Sequence, residues 1–94
     1  MDNKQISIIM SCFNSEESVY ASIQSLISQD YKNTEILLMD DGSSDETFKI
    51  LKNFEDSYEN IKAYQNKKNI GLTKSLNILI QNTNGEIIAR QDAD

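Results

Sequence analysis

Four short apolar runs recur along the chain and are separated by longer segments of mixed polarity. The runs are residues 6–10, 36–39, 61–64 and 87–89. Three of them are almost continuously apolar, which is typical of strands that are buried on both faces of a parallel sheet. The third run differs, because Ile61 and Ala63 alternate with more polar neighbours. That alternation predicts a strand at the edge of the sheet.

The three segments between the runs carry the apolar spacing of amphipathic helices. In the first and third segments apolar residues recur at i, i+4, i+7 and i+8, and the middle segment is similar. The three stripes, in chain order, are Val19, Ile23, Leu26 and Ile27; Thr47, Ile50, Leu51, Phe54 and Tyr58; and Leu72, Leu76, Leu79 and Ile80. Each segment therefore predicts one helix.

Polar residues mark the expected ends of these helices. Asn14 with Glu17 has the spacing of a capping box and predicts the start of the first helix. Ser43 with Glu46 has the same spacing before the second helix. The pair Asn84-Gly85 is a suitable stop for the third helix.

The resulting order of elements is β-α-β-α-β-α-β. Right-handed crossovers between the strands then give an open parallel sheet with helices on its faces, a three-layer Rossmann-like α/β fold. The chain of 94 residues has the size of one small domain, and no Pro- or Ser-rich linker divides it. We therefore predict a single unit over residues 1–94.

Composition and charge argue against several classes of binding partner and cellular location. Apolar residues make up 38% of the chain and charged residues 26%, which is ordinary for a soluble globular protein. The formal net charge of -6 argues against nucleic-acid binding, and Lys67-Lys68 fits a solvated loop better than an anion site. No apolar stretch approaches the ~20 residues of a membrane helix, and residues 1–10 lack the layout of a secretory signal. We expect a cytoplasmic setting.

Polar residues collect where three of the predicted strands end. The first strand leads into residues 11–14 (SCFN), the second into residues 40–44 (DDGSS), and the fourth into residues 91–94 (QDAD). Parallel α/β sheets bind ligands at the carboxyl ends of their strands. The acidic, aromatic and hydroxyl side chains of these segments are therefore expected to meet on one rim. A strand-to-helix turn alone, with Gly42 relaxing the backbone and Ser43 as a cap, is the alternative for the second segment.

Asp92 and Asp94 stand one residue apart after the fourth run. In an extended segment their side chains point the same way, ~6.6 Å apart along the chain, and both can reach one cation. The chain has no histidine, and its one cysteine, Cys12, lies elsewhere, so oxygen ligands favour magnesium or manganese over zinc. The phosphate loops GxxxxGK[ST] and GxGxxG are absent from the sequence. The pattern therefore predicts metal-mediated binding of a nucleoside diphosphate group.

These residues resemble the family-2 glycosyltransferases of the GT-A fold. The resemblance runs through SIIMSCFNSEESVYASIQSLISQDYKNTEILLMDDGSSDET, then NIGLTKSLN, then NGEIIARQDAD, in the order of the family. It implies transfer of a sugar, with inversion, from a nucleotide-sugar donor that is UDP-linked to a hydroxyl of a glycan or lipid-linked acceptor. It also implies Mn²⁺ or Mg²⁺ as cofactor, a part in bacterial surface polysaccharide synthesis, and a place at the inner face of the membrane for the intact protein.

The resemblance assigns a role to each matching residue. The nucleotide-binding set is Ser11, Phe13, Asn14, Asp41 and Lys74, and the metal-binding set is Asp92 and Asp94. Phe13 would stack on the base, and Asp41 would accept a hydrogen bond from the uracil ring. Asp40 would support the turn, Asn69, Gly71 and Asn77 would be mainly structural, and Lys74 between them would reach the phosphates. Many relatives have proline in the first loop, where this chain has Cys12.

The resemblance also implies that the chain is the N-terminal, nucleotide-sugar-binding half of a truncated GT-A domain. The acceptor site and the general base would lie beyond Asp94, so the 94 residues alone would be inactive. By analogy the strand order is 3-2-1-4, and the bare edge at residues 86–91 is expected to self-associate. Two alternatives are a non-catalytic nucleotide-binding module and a receiver-like signalling domain. The latter needs acidic residues where this chain has Ser11-Cys12 and Gln65-Asn66.

Overall fold

The computed structural model describes residues 4–29 and 33–93. In chain order the elements are β1 (Ile6–Cys12), α1 (Val19–Ile27), β2 (Thr34–Asp40), α2 (Thr47–Ser57), β3 (Ile61–Gln65), α3 (Leu72–Gln81) and β4 (Ile87–Arg90). The strands are all parallel and form one sheet in the order β3-β2-β1-β4. The predicted α/β class, strand order and edge position of β3 are therefore confirmed. None of the helices in the described ranges is long and apolar enough to span a membrane.

The sheet separates two apolar cores because alternate side chains of a strand point to opposite faces. On one face Ile8 and Met10 of β1 pack with α1 and α2, around Leu51 and Ile23. On the other face Ile9 packs with residues of β2 and α3. Strand β2 contributes to both cores, which explains why its run is continuously apolar.

The helix ends differ from their prediction. Helix α1 begins after Ser18 and α2 begins after Glu46, and the side chain of neither of these two N-cap residues makes a capping bond. The capping boxes predicted at Asn14 and Ser43 are therefore wrong, because these side chains bond to the neighbouring loop instead. Helix α3 ends at Gln81, before the predicted stop at residues 84–85.

A buried polar cluster at the amino ends of β1 and β2 explains the place of residues 84–85. The Ser7 hydroxyl donates to Glu35 Oε2 at 2.6 Å, and both side chains are buried. The Asn84 N–H donates to the same carboxylate, and the Gly85 N–H donates to Ser7 Oγ at 2.8 Å. Burial alone would raise the pKa of Glu35, but the Asn84 and Ser7 hydrogen bonds outweigh it and hold that pKa below its usual range. The cluster fastens the connection between α3 and β4 to the sheet.

Replacing Glu35 by alanine should lower the free energy of unfolding by ~1–3 kcal/mol, because it leaves the buried Ser7 hydroxyl and the part-buried Asn84 N–H without their acceptor. Urea unfolding at neutral pH measures the change. Glu59→Ala is the matched control, since the Glu59 side chain is exposed. Equal unfolding midpoints for the two variants would show that the cluster contributes nothing to stability.

Candidate functional site

The loops that follow β1 and β2, residues 13–18 and 41–46, are joined to each other by reciprocal hydrogen bonds. The Asn14 N–H donates to Ser43 Oγ at 2.8 Å, and the Ser44 N–H donates to Asn14 Oδ1 at 2.9 Å. Asn14 has a φ of 48°, in the left-handed region that asparagine tolerates better than most residues. Asn14 therefore acts as a bridge between the loops.

A second set of bonds joins the same loops nearer their helices. The Glu46 N–H donates to Glu16 Oε1 at 2.8 Å, and the Ser15 N–H donates to Thr47 Oγ1 at 2.8 Å. The Thr47 N–H donates to Asp45 Oδ1 at 2.9 Å. The hydrogen bond from the Thr47 hydroxyl is the largest cause that lowers the pKa of Asp45. The Glu16 carboxylate of the first loop thus accepts from the backbone at the start of α2, and Thr47 of α2 accepts from the backbone of the first loop.

A depression of about 460 Å³ lies beside the joined loops. It is lined by Phe13, Asn14, Ser15, Glu16, Glu17, Ser18 and Asp45. Phe13 is 48% exposed, and an exposed aromatic side chain can stack on another ring. The depression is large enough for one ring system, and its carboxylates would disfavour an unshielded phosphate.

Asp41 lies directly after β2 and is 3% exposed. Its Oδ1 atom accepts the Ile70 N–H at 2.8 Å and Asn66 Nδ2 at 3.0 Å. Its Oδ2 atom accepts the Gly71 N–H at 2.9 Å and Asn69 Nδ2 at 3.0 Å. A carboxylate offers about four acceptor positions, and the chain itself fills four of them here. Asp41 therefore holds the loop between β3 and α3 against the end of β2.

The electrostatics of Asp41 agree with that structural role. Burial alone would raise the pKa of Asp41, but the hydrogen bonds from Ile70, then from Asn66, outweigh burial and hold that pKa below its usual range. Asn66 also donates to the buried Ser75 hydroxyl at 3.0 Å, which links the carboxylate to α3. The role of Asp41 toward a uracil ring stays a prediction, and it would require the base to displace one of these donors.

Asp40 is fully buried at the end of β2. Its carboxylate accepts the Ser43 N–H at 3.3 Å and Gln65 Nε2 at 3.2 Å. Burial, and then the negative charge of Asp40, raise the pKa of the Cys12 thiol to about 12. Cys12 is thus a protonated core residue rather than a nucleophile or a metal ligand. The contacts of Asp40 agree with its predicted place in the turn.

The remaining predicted nucleotide-binding residues lie at the same end of the sheet. Ser11 is partly buried near the end of β1, and Lys74 is exposed in the first turn of α3. Their contacts with a nucleotide stay predictions. Asn66 and Asn69 donate hydrogen bonds to the Asp41 carboxylate, a role that the sequence pattern did not predict. The presence of two amide side chains shortly after a strand is the signal that could have indicated it.

The segment after β4 contains the first aspartate of the predicted metal site. Asp92 is exposed, and its Oδ1 lies 3.3 Å from Arg90 Nη2. Ala93 is 7% exposed, and its carbonyl accepts the Ser22 hydroxyl at 2.6 Å, which anchors this segment to α1. Asp94, the second aspartate of the predicted metal site, lies outside the described residues.

The described residues fit a hard cation only in part. Within residues 4–29 and 33–93 no group of three or more His, Cys, Asp and Glu side chains could hold a metal. Asp92 offers one exposed carboxylate, one oxygen of which is close to Arg90. Magnesium is commonly held by one or two carboxylates together with substrate phosphates and water. The donor chemistry of Asp92 therefore suits a metal that arrives with a diphosphate.

The open parallel sheet, with joined loops at the carboxyl ends of its strands, is the architecture of α/β domains that bind ligands on that rim. Residues 7–94 match the family model described as Glycosyl transferase family 2. The chain belongs to that family. This result confirms the predicted resemblance and decides against the receiver-like alternative.

Two curated relatives illustrate the match. EpsE of Bacillus subtilis, which is named as a glycosyltransferase, is 44% identical over 91 residues, covering 96% of this chain and 33% of EpsE. WfgD of Escherichia coli, named a UDP-Glc:alpha-D-GlcNAc-diphosphoundecaprenol beta-1,3-glucosyltransferase, is 41% identical over 95 residues, covering 100% of this chain and 36% of WfgD. The chain thus spans about a third of the length of these relatives.

Solved structures share the fold. Residues 1–349 of TarS from S. aureus, in complex with UDP-GlcNAc, superpose with a TM-score of 0.87 at 29% identity, covering 96% of this chain and 26% of that one. The mannosyltransferase PcManGT from Pyrobaculum calidifontis, in complex with GDP-Man and Mn²⁺, gives a TM-score of 0.88 at 20% identity, covering 95% and 27%. These likenesses confirm the predicted GT-A type of sheet.

Proposed function

We propose that this chain is the nucleotide-sugar-binding part of an inverting glycosyltransferase with a UDP-linked donor. The observation that carries the proposal is the match of residues 7–94 to glycosyl transferase family 2. The UDP-glucose named for WfgD and the UDP-GlcNAc bound to TarS support a uridine donor. The rim where the loops after β1 and β2 are joined is the place for that donor.

Each part of the rim has a task in this proposal. The exposed Phe13 ring stacks on the base, and Asn14 holds the loop that carries Phe13 in place. Asp41 fixes the loop at residues 69–71 and thereby sets the floor of the site. Lys74, exposed at the start of α3, is available to the phosphates.

The metal-binding task falls to Asp92, with Asp94 as its predicted partner. A divalent cation supplies charge neutralisation to the diphosphate that departs from the sugar. Arg90, 3.3 Å from Asp92, places a further positive charge beside the same rim. Manganese in the PcManGT structure supports a cation of this type. The general base that deprotonates the acceptor would lie beyond Asp94.

The full-length protein would act on a glycan or a lipid-linked acceptor, as the name of WfgD describes for that relative. This acceptor class points to a part in bacterial surface polysaccharide synthesis, with the protein in the cytoplasm at the inner face of the membrane. The 94 residues alone would bind donor without transferring sugar. Inversion would be read from the anomeric proton of the product by NMR. Binding of donor without transfer by the full-length protein would identify a non-catalytic module instead.

Calorimetry with UDP tests the proposal. UDP should bind the chain in the presence of Mn²⁺ and lose affinity at least about tenfold in EDTA, because the carboxylates of the rim otherwise face the phosphates. Asp92→Asn should reduce the affinity in Mn²⁺ by a similar factor. Glu86→Gln, an exposed carboxylate before the other end of β4, is the matched control and should bind as the parent does. Equal affinity with and without metal would remove the metal from the proposal.

A further inference from the structure

The segment that follows β4 is attached to the rest of the chain at two points, one on either side of Asp92. Before Asp92, the Gln91 N–H donates to the Ile9 carbonyl at 2.9 Å. After it, the Ala93 side chain is 7% exposed and belongs to the apolar core beneath α1 and α2. The Ala93 carbonyl accepts the Ser22 hydroxyl at 2.6 Å. The backbone of Asp92 is therefore held on both sides, while its carboxylate stays exposed.

The Ser22 hydroxyl lies near two acceptors. It is 2.6 Å from the Ala93 carbonyl and 3.2 Å from the Ser18 carbonyl, one turn back along the chain. A hydroxyl has a single proton to donate, so the shorter contact, to Ala93, is the one that it favours. The Ser18 carbonyl already accepts the Ser22 N–H at 3.1 Å and does not depend on the hydroxyl. Ser22 therefore joins two parts of the chain that are 71 residues apart, instead of bonding only within its own helix.

Helix α1 connects this attachment to the depression beside the joined loops. Ser18 lines that depression and directly precedes α1, and Ser22 lies one turn further on. A helix has a fixed rise of ~1.5 Å per residue, so α1 restrains how far the segment that carries Asp92 lies from the loop that carries Phe13. One helix thus holds both the part of the rim proposed for the base and the part proposed for the metal.

We infer that Ser22 is a positioning residue of the predicted metal site, an inference that rests on the proposed function. In this role the hydroxyl contacts no ligand atom and acts only through the Ala93 carbonyl. That carbonyl belongs to the planar peptide group that follows Ala93, between the two predicted metal ligands, Asp92 and Asp94. The hydrogen bond from α1 therefore restrains the backbone that carries the predicted pair of carboxylates.

Holding this backbone in place before the metal arrives favours the binding of Mn²⁺ together with UDP. A metal site needs its ligands within about 0.5 Å of the productive geometry. Ordering a loose segment would consume part of the binding free energy, because each residue that is fixed loses backbone entropy. The Asp92 side chain is 67% exposed and contacts Arg90 through an exposed ion pair, which restrains it little. The restraint on Asp92 therefore comes from its backbone attachments, of which Ser22 provides one.

Calorimetry with UDP on the full-length protein separates this role from a general structural one. Ser22→Ala should lower the affinity about tenfold in Mn²⁺ and leave the affinity in EDTA within about twofold of the parent, because the hydroxyl acts only on the metal ligands. Ser22→Thr keeps the hydroxyl and should restore the parent affinity in Mn²⁺ to within about threefold. Ser25→Ala, the same change at an exposed position of α1, is the matched control and should bind as the parent does. Circular dichroism verifies that each variant is folded.

Nitrogen-15 relaxation of the metal-free protein gives a second readout that needs no nucleotide. The Asp92 amide of the parent should have an order parameter near the ~0.85 of rigid backbone, and Ser22→Ala should lower it toward ~0.6. Ser25→Ala should leave it unchanged. An Asp92 order parameter that is the same in the parent and in Ser22→Ala would show that the hydroxyl does not hold this segment, and the inference would be wrong.

The inference and the proposed function fail in different ways. A parent protein that binds UDP equally in Mn²⁺ and in EDTA contradicts the metal role, and the inference with it. A metal-dependent parent whose Ser22→Ala variant binds like Ser25→Ala contradicts the inference alone. A loss of affinity in Ser22→Ala that is equal in Mn²⁺ and in EDTA, or that Ser22→Thr does not reverse, also contradicts it, because the hydroxyl would then not act through the metal ligands.

Discussion

Replacing Gly42 by alanine should lower the free energy of unfolding by ~2–5 kcal/mol. Gly42 has a φ of 74°, in the left-handed region where a side chain costs ~1–2 kcal/mol. A Cβ atom at this position would lie 2.4 Å from the Lys68 carbonyl carbon and 2.5 Å from the Asn69 nitrogen. Backbone atoms cannot step aside as a flexible side chain does, so the loop after β3 must move, which adds ~1–3 kcal/mol. Urea unfolding measures the total.

Gly71→Ala separates the two causes of that loss. Gly71 also has a positive φ, 100°, but a Cβ atom there would meet nothing within 4 Å. Its variant should lose only the conformational part, ~1–3 kcal/mol. Amide NMR shifts of Lys68 and Asn69 supply a second measure, because they should change in Gly42→Ala far more than in Gly71→Ala. Unchanged shifts in the Gly42 variant would show that no collision occurs.

The order of elements could be predicted because it depends on short-range periodicity. The helix from Val19 to Ile27 begins and ends where its apolar stripe does. The run at 36–39 is buried on both faces of the sheet, as its continuous apolar character indicates. The strand at 61–64 alternates and lies at an edge. In each of these cases the local pattern and the tertiary environment favour the same structure.

The helix starts could not be predicted in the same way because their partners are distant in sequence. Asn14 has Glu17 at capping-box spacing, yet its side chain accepts from Ser44, 30 residues away. Ser43 accepts from the Asn14 backbone, 29 residues away. A side chain at the end of one parallel strand lies beside the loop of the next strand, and this neighbour competes with the local helix for the same hydrogen bond.

For the candidate site, too, the position could be predicted from the sequence but the role of each carboxylate could not. The collection of polar residues at the strand ends follows from topology, so the sequence could place Asp40, Asp41 and Asp92 on one rim. How each carboxylate is used depends on the neighbouring loops. The Asp41 carboxylate accepts hydrogen bonds from four donors of the chain, whereas Asp92 is exposed beside Arg90. Nothing in the sequence pattern distinguishes these two aspartates.

Replacing Asp41 by asparagine should lower the free energy of unfolding by ~3–5 kcal/mol at neutral pH. The amide would turn its NH₂ group toward two donors, either those of Ile70 and Asn66 or those of Gly71 and Asn69, and leave buried donors without an acceptor. Asp56→Asn, on the exposed surface of α2, is the matched control and should change stability by less than ~0.5 kcal/mol. A folded Asp41 variant of parent stability that binds UDP weakly would assign this carboxylate to the nucleobase instead.

The same substitution should also change how stability depends on pH. The pKa of Asp41 in the folded chain is held below its usual range, so its carboxylate contributes stability above the unfolded pKa of ~3.9 and loses it as pH falls through the folded value. The stability difference between the parent and Asp41→Asn should therefore be full at pH 7 and shrink below pH ~4. Glu35, whose pKa is lowered in the same direction, titrates in both proteins and cancels in this difference. A difference that stays constant from pH 7 to pH ~3 would mean that the carboxylate is not preferentially ionised in the folded chain, and that the loss of stability in the variant arises from its shape alone.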